Sequence, residues 1–159
     1  METGLYSLIC GLCLLVMFIL YLRMLKGVER SEKRDIYISL MTAGMAYLAL
    51  DMMWGIIYDE LIPIPLMLQK VIYAAYYSGS AVLSYRWFAY VEYMQDSVFY
   101  RNNIVHQISK VPMYFVVVVA YASIWTEWFF TVDPEMGYMR GPWYFPQLVF
   151  TYGYIIFSA

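Results

Sequence analysis

Five apolar runs, at about residues 4–22, 36–58, 66–88, 113–130 and 143–159, occupy most of this 159-residue chain. Each is close to the ~20 residues that an α-helix rising ~1.5 Å per residue needs to cross a bilayer. A soluble domain cannot bury five such segments: hydrophobic residues make up 63% of the sequence and charged ones 14%, far from ordinary globular composition. The runs are continuous, and longer than the alternating strands of a membrane barrel. The expected fold is all-α, a polytopic transmembrane helix bundle forming a single domain, with the lipid bilayer as its first partner.

The connections give this bundle a direction. Arg23, Lys26, Arg30, Lys33 and Arg34 fall in the first connection, near 23–35, and Arg101 and Lys110 in the third, near 93–111, whereas the second and fourth hold only Arg140. Basic residues favour the cytoplasmic side, so the first and third connections are expected inside and the amino terminus outside. The acid at Glu2 and the lack of a small-residue cleavage site argue against a removed leader and for a first run that stays as an anchor. Prolines 63, 65, 112, 142 and 146 stand where helices begin, the places where proline loses few hydrogen bonds. In the third connection Ile104, Val105, Ile108 and Val111 have helical spacing, which predicts a short helix on the inner membrane surface. The last run ends without a closing Lys or Arg, which predicts that the chain is the amino-terminal part of a longer protein.

A net charge of −2 with no long basic block gives no reason to expect a nucleic-acid partner. Cys10 and Cys13 are the only cysteines and His106 the only histidine. The two thiols are read as small packing residues rather than a redox pair or half of a metal site, and no cofactor is expected. There is no nucleophile with a convergent base, no phosphate loop and no metal-ligand cluster, so no catalytic set is expected in these residues.

Charged groups inside the runs are costly, at ~2.5–3.5 kcal/mol each on insertion scales, and therefore need partners. Asp51 and Lys70 lie roughly 10 and 8 Å below the outer ends of their runs at ~1.5 Å per residue. They are expected to form an intramembrane pair, either lining an outward-facing pocket or fixing helix register. Arg86 and Glu92, near the inner end of the third run, are candidates for relaying a signal, with interfacial anchoring as the alternative for Arg86. Glu127 is expected to reach water or a partner. Ala74, Ala75, Ser78 and Gly79 form a small-residue face suited to close helix packing.

The fourth connection carries the densest group of unusual residues, "YMRGPWYF" from Tyr138 to Phe145. Gly141 and Pro142 suit a turn, and Trp143, Tyr144 and Phe145 suit headgroup depth. Arg140, the one basic residue on the outer side, is expected to close onto Asp133, Glu135 or Glu127 and to hold the loop as a lid. The stretches "SYRWFAYVEYMQ" and "FFTVDPEMGYMRGPWYFPQLVFTYGYIIF" resemble the amino-terminal membrane regions of bacterial GGDEF-type diguanylate cyclases, chiefly from clostridial relatives. Asp133, Tyr138, Arg140, Gly141, Pro142 and Tyr144 match the outer-loop pattern of that group. The resemblance implies a multi-pass sensor in the bacterial cytoplasmic membrane that takes a small ligand from the outer side. It also implies an output domain beyond these residues that makes cyclic di-GMP and brings two copies together. The GGDEF motif itself is absent from the sequence. The alternative expectation is a small-solute transporter or part of one, on the strength of the buried charge, although no repeat or matched helix interruption supports it.

Overall fold

The computed structural model describes residues 5–27, 30–58, 63–97, 101–133 and 137–158. In chain order these form α1 (Leu5–Gly27), α2 (Glu32–Tyr58), α3 (Leu66–Met94), a short α4 (Asn103–Ile108), α5 (Val111–Thr126), the strands β1 (Phe130–Asp133) and β2 (Gly137–Arg140), and α6 (Tyr144–Phe157). The architecture is all-α apart from the one antiparallel hairpin. Three segments, α1, α2 and the stretch Asn103–Thr126, are long and apolar enough to cross a membrane. The 29-residue α3 is less apolar, carrying Gln69, Lys70, Arg86 and Glu92 among its tyrosines. The 14 residues of α6 reach only ~21 Å.

Sequence punctuation explains most boundaries. Pro65 precedes the first turn of α3 and Pro112 sits in the first turn of α5. The short helix expected near Ile104 is present as α4, started by Asn102, whose side chain accepts from the Ile104 N–H at 3.0 Å. One boundary is corrected. The fourth apolar run was expected to stay helical to Phe130, but α5 stops at Thr126. Glu127 turns into the left-handed region, φ 58°, while its N–H still donates to the Ser123 carbonyl at 3.0 Å. The fully buried Ser123 hydroxyl then accepts from the Phe129 N–H at 3.1 Å. The first bond closes the last helical turn and the second holds the loop donor that follows, directing the chain into β1.

The core forms around α3, which packs against α2, α5, α6 and β1. Ala74 and Ala81 are almost fully enclosed there, with Tyr73, Tyr77, Tyr85 and Phe88 beside them. The small-residue face is used as expected: at Gly79 a Cβ would stand 3.1 Å from Leu50 of α2. α1 packs on α2 and leaves Leu8, Leu12, Leu15 and Ile19 more than half exposed, a surface suited to lipid.

The α1–α2 seam depends on close approach. A Cβ at Gly55 would lie 2.8 Å from Ser7 Oγ and 2.9 Å from the Tyr6 ring. Gly55→Leu is therefore expected to cost about 1–3 kcal/mol through forced separation of the two helices. Unfolding of the detergent-solubilised chain checks this, with Gly153→Leu, where a Cβ meets nothing within 4 Å, predicted to leave stability unchanged.

Candidate functional site beneath the hairpin

The hairpin sits at the end of the bundle where α5 finishes and α6 begins. Its register pairs Phe130 with Arg140, Thr131 with Met139, Val132 with Tyr138 and Asp133 with Gly137. Phe130 and Val132 alternate inward and are buried, the period-2 pattern of a strand lying on a core. Phe130 stacks on Tyr77 with ring centroids 5.8 Å apart and meets Tyr73 edge-on at 5.9 Å. Directly opposite Val132, Tyr138 reaches the same face. Its hydroxyl is in short hydrogen-bond contact with the Tyr77 hydroxyl, 61 residues earlier in the chain. Burial is the main cause that holds the Tyr138 phenol above its ordinary pKa.

The return from β2 to α6 is equally constrained. The Gly141 N–H donates to the Phe129 carbonyl at 2.9 Å and the Trp143 N–H to the Trp128 carbonyl at 2.8 Å. A Cβ on Gly141 would stand 2.6 Å from the Glu127 carbonyl oxygen, so only glycine permits this closure. Pro142 occupies the turn that follows, and Trp143 stacks on Trp128 at 5.7 Å. The turn reading of Gly141 and Pro142 thus agrees with the geometry, and the reason for the glycine is backbone contact.

Beneath the hairpin lies a cavity of about 230 Å³ bounded by α2, α3, β2 and α6. Its walls include Tyr47, Tyr76 and Tyr77, with Tyr138, Tyr144 and Gln147 across from them. The Tyr47 hydroxyl donates to that of Tyr76 at 3.1 Å. The Gln147 amide nitrogen donates to Thr151 Oγ1 at 3.0 Å and, more weakly, to Ser80 Oγ at 3.4 Å. Gln147 is 2% exposed and its carbonyl oxygen has no partner among the described residues. A buried acceptor left this way calls for a water or a ligand donor. The arrangement is an aromatic-walled pocket with a few polar groups, smaller than the ~300–1,000 Å³ typical of sites for drug-sized ligands.

Several expected contacts are corrected. Arg140 does not close onto Glu127: its guanidinium lies over the Tyr144 ring, 4.5 Å from the centroid, a cation–π contact at the pocket rim. Asp133 is three residues from Arg140 along the ladder, ~10 Å at strand rise, at the far end of the hairpin; Glu135 lies outside the described residues. Glu127 pairs instead with Lys70, 3.6 Å away. Asp51 and Lys70 therefore do not form the expected pair. Asp51 is buried on the side of α2 that faces α1, where its carboxylate accepts from the Tyr6 hydroxyl at 2.6 Å and contacts the Cys10 thiol at 3.6 Å, while Lys70 turns toward the end of α5. Arg86 and Glu92, six apart on α3, fall on different faces. Glu92 is buried and accepts from the Ser97 hydroxyl, whereas Arg86 is exposed at the end of the bundle away from the hairpin.

Sequence reading missed Tyr77, Tyr73 and Gln147. Two tyrosines at i and i+4 on α3, and a lone amide inside the last apolar run, were the available signals. Replacing either Tyr77 or Tyr138 by Phe leaves the other hydroxyl, buried at Tyr77 and partly buried at Tyr138, without this partner. Each single change is expected to cost about 1–3 kcal/mol and the double change less than the sum; a double-mutant cycle on thermal unfolding in detergent measures it. No family model, curated protein or solved structure matches this chain, so its geometry carries the functional argument.

Proposed function

We propose that the chain is a membrane-embedded signal-input module of five spans, with its amino terminus outside, in a bacterial cytoplasmic membrane. In this reading α3 and α6 join α1, α2 and α5 as spans, the polar surface of α3 being tolerated because its neighbours enclose it. The seven-to-one distribution of basic residues supports the direction. The hairpin is the lid of an outward-facing pocket for a small ligand, and its movement repacks α3 and α6. A cytoplasmic output domain beyond these residues reads that repacking. The resemblance of "YMRGPWYF" and its flanks to GGDEF-associated membrane regions favours a diguanylate cyclase there, acting as a homodimer.

The observation that carries the proposal is the Tyr77–Tyr138 contact above a pocket holding an unpartnered Gln147 carbonyl. It joins an outer loop directly to the central helix, so a ligand that competes for either group changes both at once. Asp51, the residue a transport reading depends on, is instead engaged between α1 and α2.

Sidedness is checked with a membrane-impermeant thiol reagent on intact cells. Met139→Cys on the hairpin is expected to label and Ser31→Cys only after permeabilisation; the reverse pattern overturns the orientation. In the full-length protein, Arg140→Ala is expected to change cyclic di-GMP output severalfold at unchanged membrane yield. Lowered yield with unchanged output would leave Arg140 a structural residue and remove it from the lid.

A further inference from the structure

The largest cavity described lies at the opposite end of the bundle from the hairpin, about 770 Å³ in volume. Four basic side chains from different parts of the chain border it: Arg30 ahead of α2, Arg86 on α3, His106 on α4 and Lys110 at the start of α5. The α3 wall is Val82, Tyr85, Arg86 and Ala89, a single helical face by its spacing of three, four and seven. Arg86 stands eight residues before the end of α3, ~12 Å along the axis at helix rise.

The charge on this cleft is only partly answered. Asp35, on its rim, takes Arg30 at 3.7 Å, and Glu32 adds a second acid. Lys110 donates to the neutral amide oxygen of Gln107 at 3.1 Å, and among the described residues neither Arg86 nor Lys110 takes part in an ion pair. The amino terminus of the 16-residue α5, with its positive dipole end, begins directly after Lys110. Lys110 is also felt by His106, whose pKa is lowered first by burial and then by that neighbouring charge. Cations collected between helices at the basic end of a membrane bundle make a pocket for anionic headgroups.

We infer that this cleft is a binding site for a phosphate-bearing anion, clasped by Arg86 and Lys110 between α3 and α5. Arg86 supplies planar paired donors and Lys110 a point charge, the two common ways in which proteins hold phosphate. Tyr85 and Met113 offer an apolar flank beside the charges, which suits the glycerol and upper acyl region of a lipid. The same donors would also hold a free phosphate compound. The site is independent of the outer pocket, and its test needs no signalling readout.

The test is native mass spectrometry of the purified chain released from mixed micelles containing phosphatidylglycerol or phosphatidylcholine, together with calorimetric titration with pyrophosphate. Preferential retention of phosphatidylglycerol assigns the site to a lipid headgroup, and saturable pyrophosphate binding assigns it to a soluble phosphate compound. In either case Arg86→Gln with Lys110→Gln is expected to weaken binding at least about tenfold. Arg86→Lys with Lys110→Arg, which keeps the charge, is expected to retain most of it. No preference between the two lipids together with no pyrophosphate binding by the wild-type chain would overturn the inference. So would full binding by the double glutamine variant.

Discussion

In the proposed five-span bundle the polar side of α3 has to be enclosed, and α2, α5, α6 and the hairpin are the elements packed around it. In an apolar surround an uncovered serine, tyrosine or charge is costly, and α3 carries many of them. Two of its serines turn back onto their own helix, Ser78 to the Ala74 carbonyl and Ser80 to the Tyr77 carbonyl, both at 2.8 Å. Its tyrosines cannot do so, and they reach across to α2, α6 and the hairpin. The neighbours that supply those partners are thereby fixed around it. Phe129, Phe130 and Val132 complete the enclosure at the hairpin end.

How far this was legible in the sequence varied with the kind of physics involved. Hydropathy located every long helix, because apolar run length and helix rise are coupled by the thickness of the bilayer. It overran at Phe130, since an apolar residue looks alike in a helix and in a buried strand, and the turn depends on Ser123, four residues back from Glu127. The turn in "YMRGPWYF" was legible through Gly141 and Pro142. The partners of its residues were not, because they depend on which helices are neighbours. Arg140 found an aromatic face on Tyr144, and Lys70 took Glu127, one of the three acids, with Asp133 and Glu135, on which Arg140 was expected to close.

The Asp51 and Lys70 reading failed for a related reason. Position along a helix can be read from sequence, but direction around the axis cannot be read from position. Asp51 shares a face of α2 with Gly44 and Gly55, which meet Met17 and Tyr6 of α1, whereas Lys70 faces the α5 end. The result is a division of polar groups. Asp51 ties α1 to α2, the tyrosines and Gln147 surround the pocket under the hairpin, and the basic cleft lies at the other end of the same central helix. Ligands acting at the two ends would therefore meet in α3, a shared rigid element through which their effects can be coupled.

In the proposed module Tyr138 holds the hairpin closed over the bundle through its contact with Tyr77. Pulsed electron spin resonance on the chain in lipid nanodiscs, with spin labels at Met139 on β2 and Tyr152 on α6, measures this directly. The expected result is a single narrow distance distribution that gains a second, longer population when Tyr138 is replaced by alanine. A broad distribution in the wild-type chain, or an identical one in the variant, would contradict it.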